Sequence, residues 1–263
     1  MKVYDGIMQG LQEAIAYNEG KAKMRKTVVK GIIFDKDGTL MDYASFWVPI
    51  AEKAVEYILK KVGGKTELKA KMLEASGAYL GMQGLLRAGT YGQISDTFYV
   101  MLAKSGIKVE RAELNQITRQ AFHESRGVGK ILPTCDEIRE VILALKKIVK
   151  VLALVTSDDA YMTEQCLKNL GIHDLFDRIY ADDGIHPSKP DPYYIKLLCK
   201  EEGMKPEELV MVGDTPADMA FAENGGVIGI GVAKNAEDKK ILMEKATFVI
   251  DDISGVKEII EGI

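Results

Sequence analysis

The chain has 263 residues, with 35 Lys and Arg against 39 Asp and Glu, which gives a net charge of −4 at pH 7. Hydrophobic residues make up 47% and charged residues 28%, a balance that excludes a disordered chain and lacks the basic surplus of a nucleic-acid-binding protein. No apolar run reaches the ~18 residues that cross a bilayer, and the N-terminus lacks the apolar segment of a secretory signal. Three cysteines form no CxxC pair. We therefore predict a cytoplasmic protein without a membrane or nucleic-acid partner.

Apolar runs separated by helical segments run through most of the chain. Residues 1–27 are predicted to form an appended helical extension, because apolar residues recur at helical spacing there. A short β-branched run at 28–34 then ends at Asp35. Similar runs recur at 149–155, 209–212, 227–230 and 248–250. This alternation predicts an α/β fold, a Rossmann-like core whose buried strands form a parallel sheet.

Residues typical of helix ends punctuate the segments between the predicted strands. Thr134 to Glu137 has the pattern of a capping box that opens a helix. Pro192 and Pro216 each stand at a predicted first helical position, and Gly203 is predicted to end the helix that Pro192 begins.

The segment 43–128 contains several helical stretches and no convincing strand, whereas a crossover between parallel strands needs only one helix. Apolar residues recur at helical spacing in 47–62, 68–80, 97–104 and 112–122. We therefore predict an all-helical domain at 43–128, inserted into an α/β core of residues 28–42 and 129–263. Within the insert, the stretch 87–93 is either a candidate specificity loop or an ordinary loop between helices.

Polar residues follow three predicted strands where each strand ends. Asp35 and Asp37 follow the first, Thr156 and Ser157 follow the second, and Asp214 follows a later one. In open α/β sheets, ligands bind outside the carboxyl ends of the strands. We therefore expect these residues to lie at one site.

Asp35 and Asp37 are separated by one residue directly after a buried strand. Two such carboxylates repel each other unless a cation or a proton holds them, which favours a metal or acid/base role over a charged turn. A calcium-binding loop needs Gly at its sixth position and Glu at its twelfth. Here Gly38 is fourth and Phe46 is twelfth, so that alternative is excluded.

Two further stretches carry charged residues: GDTPAD contains Asp214 and Asp218, and SKPDP contains Lys189. Taken singly, Asp214 suits a helix N-terminus, Lys189 suits a protein surface, and Thr156 suits a turn. Their order, and the position of two of them at predicted strand ends, favours one shared site.

Four motifs in this order resemble those of the haloacid dehalogenase superfamily. The first motif, DxDGT, corresponds to Asp35–Thr39, and the second, a Thr or Ser after a strand, corresponds to Thr156. The third, a Lys often followed by Pro, corresponds to Lys189, and the fourth, GDxxxD, to Gly213–Asp218. The resemblance extends over residues 28–251, and the long first interval is similar to the subclass with a helical cap between the first two motifs.

The resemblance implies a phosphatase that works through an aspartyl-phosphate intermediate. Asp35 would be the nucleophile, since a carboxyl with a reference pKa of ~3.9 is ionised at neutral pH. Asp37 would be the general acid for the leaving alkoxide and then the general base for water. Lys189 and Thr156, with Ser157 beside it, would bind the phosphoryl oxygens.

The resemblance also implies a magnesium ion, held by Asp35, the backbone carbonyl of Asp37, and Asp214. Asp218 would orient these ligands without binding the ion itself. The substrate would be a small phosphorylated metabolite, as in the phosphoglycolate phosphatase group, and the protein would be a monomer or a homodimer.

Three other functions compete with this interpretation. An isomerase that resembles β-phosphoglucomutase is the main alternative, but those enzymes carry His twelve residues after the nucleophile, where this chain has Trp47. A dehalogenase is disfavoured because such enzymes do not keep the second aspartate of the first motif, which is Asp37 here. A binding scaffold is expected to have lost a catalytic residue, and none is missing from the four motifs.

Overall fold

The structure is a computed structural model that describes residues 28–263. The predicted helical extension, residues 1–27, lies outside the described residues. The chain divides into two compact units: a core that contains residues 28–40 and 134–263, and a helical unit of residues 41–133. The predicted insert, 43–128, falls within the second unit. Among the described residues, no helix is both long and apolar enough to span a membrane.

A six-stranded parallel sheet forms the centre of the core. Its strands are β1 (Gly31–Phe34), β2 (Val151–Asp159), β3 (Arg178–Asp182), β4 (Leu209–Gly213), β5 (Ile228–Val232) and β6 (Phe248–Ile250). They are ordered β3-β2-β1-β4-β5-β6, and each neighbouring pair is parallel. The last residue of β1, Phe34, lies opposite Leu154 of β2 and Val212 of β4. The predicted α/β fold is therefore confirmed. The carboxyl ends of β1 and β4 meet at the middle of one sheet edge, and β2 beside them continues past Leu154 to Asp159.

The helical unit contains α1 (Tyr43–Val62), α2 (Leu68–Ala75), α3 (Leu85–Ala88), α4 (Tyr91–Lys104) and α5 (Arg111–Ser125). The candidate specificity loop 87–93 spans the end of α3 and the start of α4. Thr90 caps α4 in a capping box: its hydroxyl accepts a hydrogen bond from the Gln93 backbone N–H, and the Gln93 side chain accepts one from the Thr90 N–H. These two polar side chains therefore stabilise a helix start.

The core helices are α6 (Ile138–Lys146), α7 (Ala160–Asn169), α8 (Tyr193–Glu202), α9 (Pro216–Gly225), α10 (Ala236–Leu242) and α11 (Val256–Gly262). Alternate residues of β1 join different apolar clusters, because successive side chains of a strand point to opposite faces. Ile32 and Phe34 pack in a cluster that includes residues of α6 and α11, and Ile33 packs in a cluster that includes residues of α8 and α9. Helices therefore bury both faces of the sheet, which accounts for the almost continuously apolar strands.

The predicted capping box at Thr134–Glu137 is wrong. Helix α6 begins at Ile138 after Glu137, which has a φ of 52° and makes no side-chain cap. The Thr134 hydroxyl instead donates to the carbonyl oxygen of Thr39 at 2.6 Å, and the Thr134 N–H donates to the Leu40 carbonyl at 3.1 Å. A bond to a distant part of the chain has displaced the local cap.

The other predicted helix ends agree more closely with the structure. Pro216 is the first residue of α9, and Thr215 caps that helix. Pro192 is the residue before α8 and not its first helical residue. Gly203 ends α8 in the left-handed conformation, as predicted, with a φ of 64°.

Candidate active site

Three buried carboxylates converge at the carboxyl edge of the sheet. Asp35 follows β1, Asp214 follows the neighbouring strand β4, and Asp218 lies in the first turn of α9. One oxygen of each lies within 4.8 Å of the others. The Asp35 N–H donates to the Val212 carbonyl at 2.9 Å, which continues the pairing of β1 with β4 beyond the last residue of β1. Strand pairing therefore brings Asp35 and Asp214 together.

Lys189 is the cation of this cluster. Its ammonium donates to Asp35 Oδ1 at 2.5 Å and to Asp218 Oδ1 at 2.6 Å, and only 7% of its side chain is exposed. Burial lowers the pKa of Lys189, but the carboxylates of Asp218 and Asp35 raise it by more, so the net pKa lies above its ordinary value. The structure thus joins the predicted nucleophile and the predicted lysine in one ion pair.

The cluster carries more negative than positive charge. Burial raises the pKa of the Asp35 carboxyl to about 6; Lys189 opposes this shift, and Asp218 and Asp37 add to it. Asp35 and Asp218 share the Lys189 ammonium, and the Asp214 carboxylate lies beside them; carboxylates this close favour a bound cation or a proton. Oxygen donors in this number and spacing fit a hard divalent cation, so Asp35, Asp214 and Asp218 form a candidate metal centre.

The packing of the motif GDxxxD explains why a glycine precedes its first aspartate. A Cβ at Gly213 would lie 2.4 Å from the Cβ of Asp218, so a larger residue cannot occupy this position without displacing Asp218. The Asp218 Oδ2 accepts hydrogen bonds from the Thr215 N–H at 3.0 Å and from the Thr215 hydroxyl at 2.6 Å. The Thr39 hydroxyl donates to Asp214 Oδ1 at 3.2 Å. These contacts fix both carboxylates.

The Asp37 side chain does not join the three carboxylates. Its Oδ1 accepts a hydrogen bond from the Lys36 ammonium at 2.7 Å, and the same ammonium lies 3.2 Å from Asp158 Oδ2. Burial lowers the pKa of Lys36, but the Asp37 and Asp158 carboxylates outweigh it, so the net pKa is raised. Sequence reasoning missed Lys36 and Asp158, although a lysine between two acidic residues after a buried strand was a signal.

Thr156 and Ser157 differ in environment. Thr156 and Ser157 lie inside β2, which continues to Asp159, so the prediction that they follow this strand is wrong. Thr156 is buried, and its hydroxyl accepts a hydrogen bond from the Asp158 N–H at 3.2 Å. Ser157 is exposed. In the first motif, Gly38 has a φ of 86°, a conformation that side chains disfavour, and it thereby lets the chain turn sharply after Asp37.

The arrangement is that of an enzyme: titratable groups with perturbed pKa values meet a candidate metal centre at the carboxyl edge of a parallel α/β sheet. The chain belongs to the haloacid dehalogenase-like hydrolases, whose family model matches residues 29–226. This match confirms the family and the hydrolase class that the four motifs predicted. The roles of individual residues stay predictions.

Several relatives cover nearly the whole chain. A phosphoglycolate phosphatase of Vibrio vulnificus strain YJ016 is 26% identical over 243 residues, which is 90% of this chain and 98% of that protein. The pyrophosphatase PpaX of Bacillus velezensis is 29% identical over 162 residues, which is 58% of this chain and 74% of that protein. The crystal structure of a predicted phosphoglycolate phosphatase from Haemophilus somnus 129PT has a TM-score of 0.65 and 21% identity, and it covers 90% of this chain and 99% of its own. This last likeness shows the fold.

Proposed function

We propose that this protein is a magnesium-dependent phosphatase that hydrolyses a small phosphomonoester through an aspartyl-phosphate on Asp35. The observation that carries the proposal is the buried ion pair between Asp35 and Lys189 beside Asp214 and Asp218. A carboxylate held next to an ammonium can attack an anionic phosphorus centre, because the ammonium offsets the repulsion between the two anions. The phosphatases and the pyrophosphatase among the relatives support the same chemistry.

Asp35 acts as the nucleophile in the proposed reaction. One carboxylate oxygen forms a bond to phosphorus while the bond between phosphorus and the ester oxygen breaks, and Asp37 gives a proton to the departing alkoxide. Water then attacks the phosphorus of the acyl phosphate and gives a proton to Asp37, and inorganic phosphate leaves. The Asp35 carboxylate is regenerated, so atoms and charge balance over one turnover. Lys189 and Thr156 bind the phosphoryl oxygens, with Ser157 beside them.

Asp35, Asp214 and the backbone carbonyl of Asp37 are the residues that we assign to the magnesium ion. When bound, the ion supplies positive charge to the phosphoryl group. Asp218 orients the site, since Lys189 and Thr215 already donate hydrogen bonds to its two oxygens.

A small phosphomonoester of the phosphoglycolate type is the substrate class that we propose. The mutase alternative requires a titratable group at the position of Trp47. The indole instead packs edge-on against Phe46, with ring centres 5.3 Å apart, and stacks with Tyr43 at 6.4 Å. An indole does not exchange protons near neutral pH, which disfavours the mutase. A cytoplasmic location and a monomeric or homodimeric state stay predictions.

Phosphate release from a panel of esters tests the proposal: 2-phosphoglycolate, glycerol phosphate, pyrophosphate and β-glucose 1-phosphate. We expect phosphate release from a small monoester, its loss on chelation and its return with magnesium. Full activity after exhaustive chelation contradicts the metal-dependent mechanism. Efficient conversion of β-glucose 1-phosphate to glucose 6-phosphate without phosphate release identifies the mutase instead.

Labelling with a substrate that carries radioactive phosphate separates the two aspartates of the first motif. The Asp35→Asn variant should form no phosphoenzyme, because an amide is a poor nucleophile, whereas Asp37→Asn should still form one from an ester with a good leaving group. Asp174→Asn is the matched control, since Asp174 is an exposed aspartate of the same unit that pairs with Arg139. Labelling of Asp35→Asn overturns the assignment of the nucleophile.

A further inference from the structure

Lys36 and Asp158 form a buried ion pair that the proposed reaction does not use. Only 1% of the Lys36 side chain and 8% of the Asp158 side chain are exposed. The Lys36 ammonium lies between Asp37 Oδ1 at 2.7 Å and Asp158 Oδ2 at 3.2 Å. We propose that Lys36, anchored by Asp158, is a positioning residue that holds the Asp37 carboxylate for its proton transfers. This proposal rests on the proposed function, because it assigns a purpose to the acid/base role of Asp37.

The stability of the fold does not by itself explain why these two charged side chains are buried. Removing a lysine and an aspartate from water costs several kcal/mol per ion, and well-packed apolar side chains in their place are often at least as stable. Position 36 directly follows the buried residue Asp35 and the apolar strand β1, and its ammonium reaches the polar end of β2, which carries Asp158. A charged side chain at 36 is therefore better explained by what it binds than by the stability of the sheet.

The anchor on the β2 side is itself fixed by the backbone. The Asp158 N–H donates to the Thr156 hydroxyl at 3.2 Å, and Asp158 Oδ1 accepts a hydrogen bond from the Asp159 N–H at 2.9 Å. With its Oδ1 engaged in this way, Asp158 presents Oδ2 to Lys36. The position of the ammonium, and hence of the Asp37 oxygen bound to it, is thus set by the segment of β2 that also carries Thr156.

The two aspartates of the first motif therefore each have their own lysine. Lys189 binds Asp35, the proposed nucleophile, and Lys36 binds Asp37, the proposed acid and base. The Asp37 side chain is 20% exposed, so it is held through Oδ1 while part of it stays open to solvent and substrate. This division lets the nucleophile and the proton-transfer group be oriented independently.

Leaving-group dependence is the measurement that distinguishes positioning from a structural role. General acid catalysis contributes about 10²–10⁴-fold, and a group misplaced by about 1 Å can lose about 10²-fold. We therefore expect Lys36→Met to lower kcat/KM, which reports the steps up to departure of the leaving group, about 10–100-fold for glycerol phosphate, whose alkoxide needs a proton. For p-nitrophenyl phosphate, whose leaving group needs none, we expect a loss of kcat/KM of less than about threefold. Lys36→Arg should recover part of the loss.

A double-mutant comparison tests whether Lys36 acts through Asp37. In the Asp37→Asn background, Lys36→Met should cause no further loss of kcat/KM, since the group to be positioned is already absent. Lys168→Met is the matched control, because Lys168 is a half-exposed lysine paired with Glu164. An equal loss of kcat/KM for both esters, or a full additional loss in the Asp37→Asn background, overturns the proposal.

A further variant tests the proposal if Lys36→Met fails to fold. If Lys36→Met does not fold, judged by circular dichroism, the variant Lys36→Met/Asp158→Leu removes both buried charges, and it should show the same leaving-group signature. If the wild-type protein hydrolyses none of the esters, the proposed function fails. A crystal structure of either variant then still tests the positioning, and an Asp37 side chain in the same rotamer without Lys36 refutes it.

Discussion

Replacing Asp35 with Asn should stabilise the metal-free protein, although Asp35 is the proposed nucleophile. Burial raises the pKa of its carboxyl from 3.8 to about 6. A shift of roughly two units corresponds to about 3 kcal/mol, since one unit is about 1.4 kcal/mol. The folded protein binds the proton more tightly than the unfolded chain, so the stability contributed by this group falls as pH rises from about 4 to about 6. Above pH 6 the ionised Asp35 lowers the free energy of unfolding by this full amount.

Urea unfolding in the presence of a chelator measures this effect. At pH 7.5 we expect the free energy of unfolding of Asp35→Asn to exceed that of the wild type by up to about 3 kcal/mol, and the gain should disappear below pH 4. Far-UV circular dichroism is the suitable signal, because the single tryptophan, Trp47, lies in the helical unit. Asp174→Asn is the control: the Arg139 hydrogen bond holds the pKa of Asp174 at about 2, so this change should not stabilise the protein.

Magnesium provides the second arm of the same experiment. A ligand at 100 times its Kd stabilises a protein by about 2.7 kcal/mol, and we expect a response of that size in the wild type. Asp35→Asn should respond much less, because it has lost a proposed ligand. A lower free energy of unfolding for Asp35→Asn in chelator, or an undiminished response to magnesium, refutes the reasoning that Lys189 only partly offsets the cost of burying the Asp35 carboxylate.

Two further substitutions test the packing and the charge of the same cluster. Gly213→Ala should destabilise the protein by about 1–3 kcal/mol, because the new Cβ displaces Asp218. It should also weaken magnesium binding, measured by calorimetry. Gly127→Ala is the control and should have neither effect, because its Cβ would meet no atom within 4 Å. Lys189→Met should lower the free energy of unfolding by about 3–5 kcal/mol in chelator, because it leaves Asp35 and Asp218 buried without their ammonium. Magnesium should restore part of this stability. Equal behaviour of the two alanine variants, or a Lys189→Met loss that magnesium does not reduce, contradicts these assignments.

The strands that carry the site could be predicted because they are buried on both faces. Such strands are continuous apolar runs, and the polar residue that ends each run marks the carboxyl edge of the sheet. Strand β3 was missed because it is an edge strand in which only three apolar residues, 179–181, stand between the charged residues Arg178 and Asp182. The start of α6 was wrong for a different reason: Thr134 binds the carbonyl of Thr39, a partner that lies far away in the chain.

Some contacts of the carboxylates could likewise be predicted from the sequence, and others could not. The meeting of Asp35 and Asp214 follows from adjacent strands, so strand ends were enough to predict it. The approach of Asp158 to Lys36 was not predictable, because it depends on how far β2 continues past Val155, where its register with β3 shifts. Local sequence patterns do not contain that information.

The hydrogen bond between the Thr134 N–H and the Leu40 carbonyl has a consequence for how such a chain can be altered. It joins the two points at which the polypeptide leaves and re-enters the core, and the next residues, Met41 and Pro133, pair as an isolated antiparallel bridge. Two ends this close can be bridged by a tight turn at little cost in chain entropy. We therefore expect that the 41–133 segment can be replaced by a tight turn or by another inserted domain while the acidic cluster is kept.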